Sequence, residues 1–392
     1  MAGLGRKVFN AGEVLSAANV QGYLQDQVVQ VYSGTAARSS ALGTAVSEGM
    51  MSYLTDANEL SVYTSNGTAA WSAVNLAQSP NVIINGAFDF WQRGTSVTLT
   101  GSAYAVDRYA FIFDGTQSVT TSRQDFTPGN TISGYEAPYY ARIAVASTSS
   151  GQSYNQFGQL IEDVRTFAGQ TMTFSFWAKA TSGSFTVTPR YIQFFGSGGS
   201  SQVEANFGST ITLTTSWVRY TQTVTLPSIS GKTIGTSSSL KIVLDLPKNA
   251  TWSLDTWGWQ VEAGSVATPF RRSSPTLQGE LAACQRYFMR VNSGAATNTP
   301  AGIGSYYNST TFLVHYPMKV TMRTAPSLTV NNAASWSVFS NGSSRAASAI
   351  SLDNVNIDFA ALAITTSSAT SGNAGQFQTN NTNGSLDLNA EL

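Results

Sequence analysis

Thr171-Met172-Thr173-Phe174-Ser175-Phe176-Trp177-Ala178 decides the reading of this sequence. Met172, Phe174, Phe176 and Ala178 occupy every second position, with hydroxyl side chains between them until Trp177. Successive side chains of an extended strand point to opposite faces, so the stretch predicts a strand with one face on a core and Trp177 on the other. The same period recurs elsewhere. Leu240, Ile242, Leu244 and Leu246 alternate with Lys241, Val243 and Asp245, and Val218, Tyr220 and Val224 share a side within residues 217–226. Residues 139–146 and 106–113 supply two more strands, and Gly, Ser, Asn or Pro bounds each one. Many short strands with frequent turn signals and almost no helical period predict a β-sandwich across residues 79–273.

The flanks read differently. After Pro275, Leu277, Leu281 and Cys284 fall on one face of a short helix, which makes Cys284 a small core residue. Residues 274–392 then predict a second, smaller β-sandwich, with strands at 311–316, 327–330, 336–339 and 355–363. The Ser-, Thr- and Asn-rich residues 365–383 read as loops plus a late strand, or as a disordered tail. Within residues 1–78, Val14, Ala17, Gln21, Leu24, Val28 and Val31 recur at spacings of three and four. This heptad-like seam predicts a short helix that packs against copies of itself, a docking partner or its own domain. A β-meander follows, with strands at 49–54 and 59–63 and an Asn66-Gly67 turn before Trp71. It is too small to be comfortable alone. The run Gly196-Ser197-Gly198-Gly199-Ser200-Ser201 reads as a flexible loop, because it lacks the lysine and following helix of a phosphate loop.

Composition narrows the function. Charged residues make up 11% of the 392-residue chain, against roughly 25% in ordinary soluble domains. With 20 Phe, 16 Tyr and 8 Trp the chain is ordered, and a net charge of +0 argues against electrostatic binding of nucleic acid or membrane. One Cys and one His exclude an intrachain disulfide and a Cys/His zinc site. A Ser-His-Asp triad could use only His315, which reads as a strand residue. Residues 1–20 hold no apolar block of signal-peptide length, and no stretch approaches the ~18 apolar residues of a membrane span. Glu162-Asp163, the one adjacent acidic pair of the larger sandwich, would point to opposite faces of a strand. These features predict a protein that is not an enzyme.

Several segments together resemble known proteins. Residues 81–96, Asn81-Val82-Ile83-Ile84-Asn85-Gly86-Ala87-Phe88-Asp89-Phe90-Trp91-Gln92-Arg93-Gly94-Thr95-Ser96, resemble the opening strand of jelly-roll modules in bacteriophage tail-fibre proteins. Tyr104-Ala105-Val106-Asp107-Arg108-Tyr109 resembles the next element of that module, and residues 260–270, from Gln260 to Pro269-Phe270, its closing strand and exit. Glu280-Leu281-Ala282-Ala283-Cys284-Gln285-Arg286-Tyr287-Phe288 resembles the segment that follows it in such virion proteins. The resemblance implies a galactose-binding-like jelly roll, akin to carbohydrate-binding modules, on a homotrimeric fibre of a phage particle. Residues 1–78 would then dock to other virion proteins and oligomerise. The leading expectation is a tail fibre that recognises host-surface glycans. A head fibre or decoration protein with a purely structural role is the alternative, and a polysaccharide depolymerase a minor one.

Sugar recognition stacks an aromatic face on an apolar ring face, and the candidates are Trp177, Tyr191, Trp217 and Trp257. Against this stands the frequency with which large aromatics of a sandwich lie in its core. The resemblance also implies a structural Ca2+ as the only expected cofactor, for which Asn85, Asp89 and Asp255 are the available ligands. Asp107, Arg108 and Arg93 are expected to form a structural polar network near strand ends.

Overall fold

The computed structural model describes residues 14, 16–17, 28–56, 59–64, 70–74, 81–129, 132, 134–147, 151–291, 296–381 and 384–392. It divides into two compact units, Met1–Ser79 and Pro80–Leu392.

In the first unit, β1 (Val29–Tyr32) leads through helix α1 (Thr35–Leu42) to β2 (Met51–Leu54), β3 (Glu59–Thr64) and β4 (Ala70–Ala73). The sheet order is β1-β2-β3-β4, with β1 parallel to β2 and the other pairs antiparallel. A parallel pair needs a crossover, and α1 supplies it. Arg38 of α1 lies 4.3 Å over the Trp71 ring and donates to Ser52 Oγ at 3.0 Å. The heptad-like seam is helical at Ala17 but does not run to its predicted end, since Val31 sits in β1. Val28, Val29 and Val31 are β-branched, and that preference for a pleated surface outweighs the apolar spacing. Gln21, Leu24, Asn66 and Gly67 lie outside the described residues.

The second unit holds two sandwiches. The larger contains β5 (Ser96–Leu99), β6 (Ala103–Val106), β7 (Tyr109–Phe113), β8 (Ser118–Asp125), β9 (Tyr139–Ser147), β10 (Asn155–Ile161), β11 (Thr171–Ala180), β12 (Phe185–Phe194), β13 (Val203–Asn206), β14 (Ile211–Leu213), β15 (Val218–Thr225), β16 (Ser239–Asp245) and β17 (Trp252–Ala263). One sheet runs β15-β11-β17-β9-β8-β5 and the other β13-β12-β16-β10-β7-β6, with β14 beside β12. From β9 to β12 and again from β14 to β17 each successive strand crosses to the other antiparallel sheet, so the fold is a jelly roll. Met172, Phe174 and Phe176 meet Leu240, Ile242 and Leu244 between the sheets, as their period of two requires.

A bulge interrupts β17. Ser175 pairs with Gln260 but Trp177 pairs with Trp257, so β17 carries one residue more than β11 in this interval. Gly258 takes it up at φ +66°, a left-handed conformation that glycine adopts without penalty. Trp257 and Trp259 consequently face opposite sides: Trp259 enters the main core, and Trp257 joins Trp177 outside it.

Two expectations need correction here. Residues 81–95 form no strand. Asn81 instead ties the segment to β17, donating through Nδ2 to the Trp259 and Arg271 carbonyls, both at 2.9 Å, and accepting from Val261 N at 3.0 Å. The glycine-rich loop at 196–201 is pinned rather than loose. Ser197 bridges Thr236, and a Cβ on Gly235 would lie 2.0 Å from the Ser197 carbonyl oxygen.

Helix α2 (Leu277–Gln285), with the buried Cys284, leads into the smaller sandwich. It contains β18 (Phe288–Val291), β19 (Pro300–Tyr306), β20 (Thr311–Pro317), β21 (Ser327–Asn331), β22 (Trp336–Ser340), β23 (Ser343–Ala346), β24 (Ala349–Val355), β25 (Phe359–Thr365), β26 (Ala374–Thr379) and β27 (Ser385–Asn389). The sheets run β18-β27-β21 and β23-β22-β26-β19-β20-β25-β24 around Phe312, Trp336, Phe377 and Leu386. The predicted strand at 355–363 is in fact the end of β24, a turn and the start of β25. Asn356 closes that turn by accepting from Asp358 N at 2.8 Å, the local bond that Asn side chains offer at turns.

Candidate functional site

The outer face of the β15-β11-β17-β9-β8-β5 sheet carries a second apolar layer. Trp177 and Trp257 lie 5.3 Å apart, and Phe270 lies 4.7 Å from Trp257. Tyr135 packs over both tryptophans, at 6.0 and 5.6 Å. A Cβ on Gly258 would stand 2.6 Å from Trp177 Cε3, so the bulge glycine also makes room for that ring. Trp177 is 3% exposed and Trp257 2%, so neither offers an open ring face to a sugar. Tyr191 is in the main core beside Phe207. Tyr191 and Trp257 thus pack inside the protein, because a jelly-roll sheet here is covered on both faces, whereas Trp177, though almost covered, borders the groove described next.

Trp217 differs. It is half-buried at the edge of this layer, 5.3 Å from Tyr140 and 5.6 Å from Phe126. Lys179 Nζ lies 5.4 Å from its ring centroid, a cation–π contact. Phe126, Tyr140 and Trp217, with Asp125, Lys179 and Arg219 among the polar walls, line an open groove of about 840 Å³. Aromatic rings with acidic and basic side chains around them suit a polyol that has apolar ring faces and a hydroxyl-bearing rim. Burial lowers the Arg219 guanidinium's pKa, while Tyr140 is raised by desolvation and by Asp255. Phe126, Tyr140, Lys179 and Arg219 escaped sequence reasoning. Lys179 and Arg219 are outward residues beside the Trp177 and Trp217 strand positions, and that spacing was the available signal.

The residues proposed for calcium do not fit it. Arg142 donates to both oxygens of Asp255 at 2.7 and 2.9 Å, with Lys179 at 3.5 Å. Arg272 does the same to Asp89 at 2.7 and 3.2 Å. Asn85 donates to the Phe90 and Asp107 carbonyls at 2.9 and 3.2 Å. A calcium ion would have to displace arginines. Among the described residues no group of three or more His, Cys, Asp or Glu side chains could hold a metal.

The motif residues meet instead where the jelly roll joins the smaller sandwich. Arg93 lies 3.5 Å from Asp107 and 3.1 Å from Glu391, and Arg108 pairs with the same Glu391. Gln92 donates to Asp107 through its backbone at 2.6 Å and its amide at 3.1 Å. Arg93 stacks over Phe288 at 3.6 Å and Arg108 over Tyr287 at 3.4 Å. Behind them, Glu280 accepts from Asn85 N at 2.5 Å, and from Ser273 Oγ and Ser274 N, both at 2.8 Å. Burial pushes the Glu280 and Asp107 carboxyls above their usual range, against the hydrogen bonds and, at Asp107, Arg93. This is the expected polar network, and its role is structural. Glu162 belongs to the same joint, accepting from Arg286 and Tyr287 at 3.1 and 2.9 Å, while Asp163 pairs with Arg165.

No protein-family model and no curated protein matches the sequence. Among solved structures, a family 4 carbohydrate-binding module is similar at 18% identity and TM-score 0.27, over 46% of this chain and 98% of its own. A xylan-binding CBM22 domain from Paenibacillus barcinonensis is similar at 16% identity and TM-score 0.28, over 39% and 91%. Tailspike protein 4 of bacteriophage CBA120 is similar at 16% identity and TM-score 0.30, over 47% of this chain and 21% of the tailspike chain.

Proposed function

We propose that this chain is a non-enzymatic fibre protein of a phage particle, a homotrimer whose jelly roll recognises glycans on the host surface. The observation that carries the reading is the groove of Phe126, Tyr140 and Trp217 with Asp125, Lys179 and Arg219 on its walls. The segment-by-segment resemblance to phage fibre modules supports the virion setting. In this reading the first unit docks to the particle and joins three copies. Each groove holds its glycan weakly, and linked sites raise apparent affinity by roughly 10²–10⁴.

The test is a glycan array probed with the full-length chain and with Trp217→Ala. Binding to host-surface glycans that falls at least tenfold in the variant supports the assignment. Absence of binding by the wild-type chain, or equal binding by the variant, overturns it. Light scattering at micromolar concentration checks the trimer, and a monomeric mass contradicts it. The burial of Trp177, Trp257 and Tyr191 favours one other reading, a structural head fibre or decoration protein. Immunogold microscopy on intact particles separates the two, since label on tail fibres supports recognition and label on the head supports decoration.

A further inference from the structure

The opposite sheet of the jelly roll carries a groove of its own. It is about 410 Å³ in volume and crosses five strands. Register explains its composition. Ile112, Gln156 and Asp245 form one row across β7, β10 and β16. Lys241, Ile192 and Glu204 form another across β16, β12 and β13. Both rows point away from the core, which takes Phe157, Ile242, Leu244 and Tyr191 from the alternate positions. Tyr154, 42% exposed, stands at one end.

The charges here are unevenly matched. Arg190 is held at 2.8 Å by Asp245 and 3.6 Å by Glu204, and Gln156 donates to Asp245 at 2.9 Å. Those contacts occupy both carboxylates of the groove with one arginine. Lys248 donates to the Ser153 carbonyl at 2.9 Å. Lys241 has no ion pair or hydrogen bond among the described residues, and its ammonium lies 4.8 Å from the Phe194 ring centroid. It is half-buried, and desolvation lowers its pKa, opposed by the charge of Glu204 in the same row. A partly desolvated ammonium with no carboxylate in contact attracts an incoming anion more strongly than an exposed one. Of the three cations here, Arg190 is engaged by Asp245 and Glu204 and Lys248 by the Ser153 carbonyl, which leaves Lys241 for a ligand where a phosphate site collects several cations or backbone N–H groups. The surrounding groups are a tyrosine face, amides and paired carboxylates, which suit ring faces and hydroxyls.

We propose that this groove is a second saccharide site, specific for a carboxylated sugar, with the sugar carboxylate on Lys241, the ring against Tyr154 and hydroxyls on Gln156 and Gln202. The site is separate from the Trp217 groove and stands or falls independently of it.

The experiment is calorimetric titration of the full-length chain with galacturonate and hyaluronan oligosaccharides and with their carboxyl-reduced counterparts. The expected result is binding by at least one acidic oligosaccharide. Affinity should fall about tenfold or more on carboxyl reduction and in Lys241→Gln, since a charge-assisted hydrogen bond is lost in each. Tyr154→Ala should weaken it too, and Trp217→Ala should leave it unchanged. Binding to neither acidic ligand overturns the proposal. So does equal affinity of Lys241→Gln, provided its melting temperature matches the wild type, or equal affinity for the reduced sugar. Loss confined to Trp217→Ala also overturns it and assigns the ligand to the other groove.

Discussion

Replacing Glu391 by alanine removes the one carboxylate that Arg93 and Arg108 share. The two arginines do not suffer equally. Arg93 keeps Asp107 at 3.5 Å, whereas Arg108 loses the only carboxylate that pairs with it among the described residues, and its side chain is 1% exposed. Arg108 retains the Leu160 carbonyl at 2.5 Å and the Tyr287 ring at 3.4 Å. Orphaning one member of a buried pair costs about 3–5 kcal/mol, and the remaining contacts put this case near the lower end, about 3 kcal/mol. Glu391→Gln keeps an acceptor but not the charge, and should cost about 1.5–3 kcal/mol. Arg286→Ala is the control, because its pair with Glu162 is 41% and 36% exposed and should be worth under about 1 kcal/mol. Thermal melts of the full-length variants should follow that order, with Glu391→Ala lowered by roughly 6 °C or more. If Glu391→Ala melted with Arg286→Ala, the claim that this network fastens the two sandwiches would be wrong.

Other predictions rest on separate features. Burial, and then the Glu391 charge, push the Tyr104 hydroxyl to about 12 from 10.0. Since the folded value is the higher, this group's contribution is fully present below pH 10 and is lost as pH rises towards 12. Tyr104→Phe should therefore lose less stability across that window than the wild type, as alkaline urea titrations would show. Gly258→Ala should destabilise by about 2–4 kcal/mol, from a left-handed non-glycine residue and a clash with Trp177. Its tryptophan emission should shift as the ring moves, and an unchanged spectrum with wild-type stability would contradict the bulge. Cys284 is 1% exposed, and burial raises its thiol well above the usual value. It should resist thiol reagents in the folded protein and react once the chain is unfolded.

The architecture was readable because strand period is a local property. Met172, Phe174 and Phe176 announce their shared face without reference to any other segment. The site was less readable, because whether an outward aromatic is open depends on what later chain covers it. The period puts Trp177 on the outer face, yet Tyr135 and Phe270, distant in sequence, close over it. The β17 bulge defeats simple counting: strict alternation puts Trp257 and Trp259 on one side, and only Gly258 within a strand hinted otherwise. Residues 81–95 misled for the opposite reason. Their apolar run suggests a strand, but Asn81 and Asn85 bond to the backbone and hold it in turns.

The junction also bears on how the protein is made. Arg108 and Glu391 stand 283 positions apart, so a growing chain exposes the arginine long before its carboxylate leaves the ribosome. During that interval the nascent jelly roll carries a cation it cannot bury without penalty, and docking of the joint waits for β27 and the residues that follow it. A product broken off before Glu391 would stall with that joint unmade, a state that proteases could distinguish from the joined sandwiches.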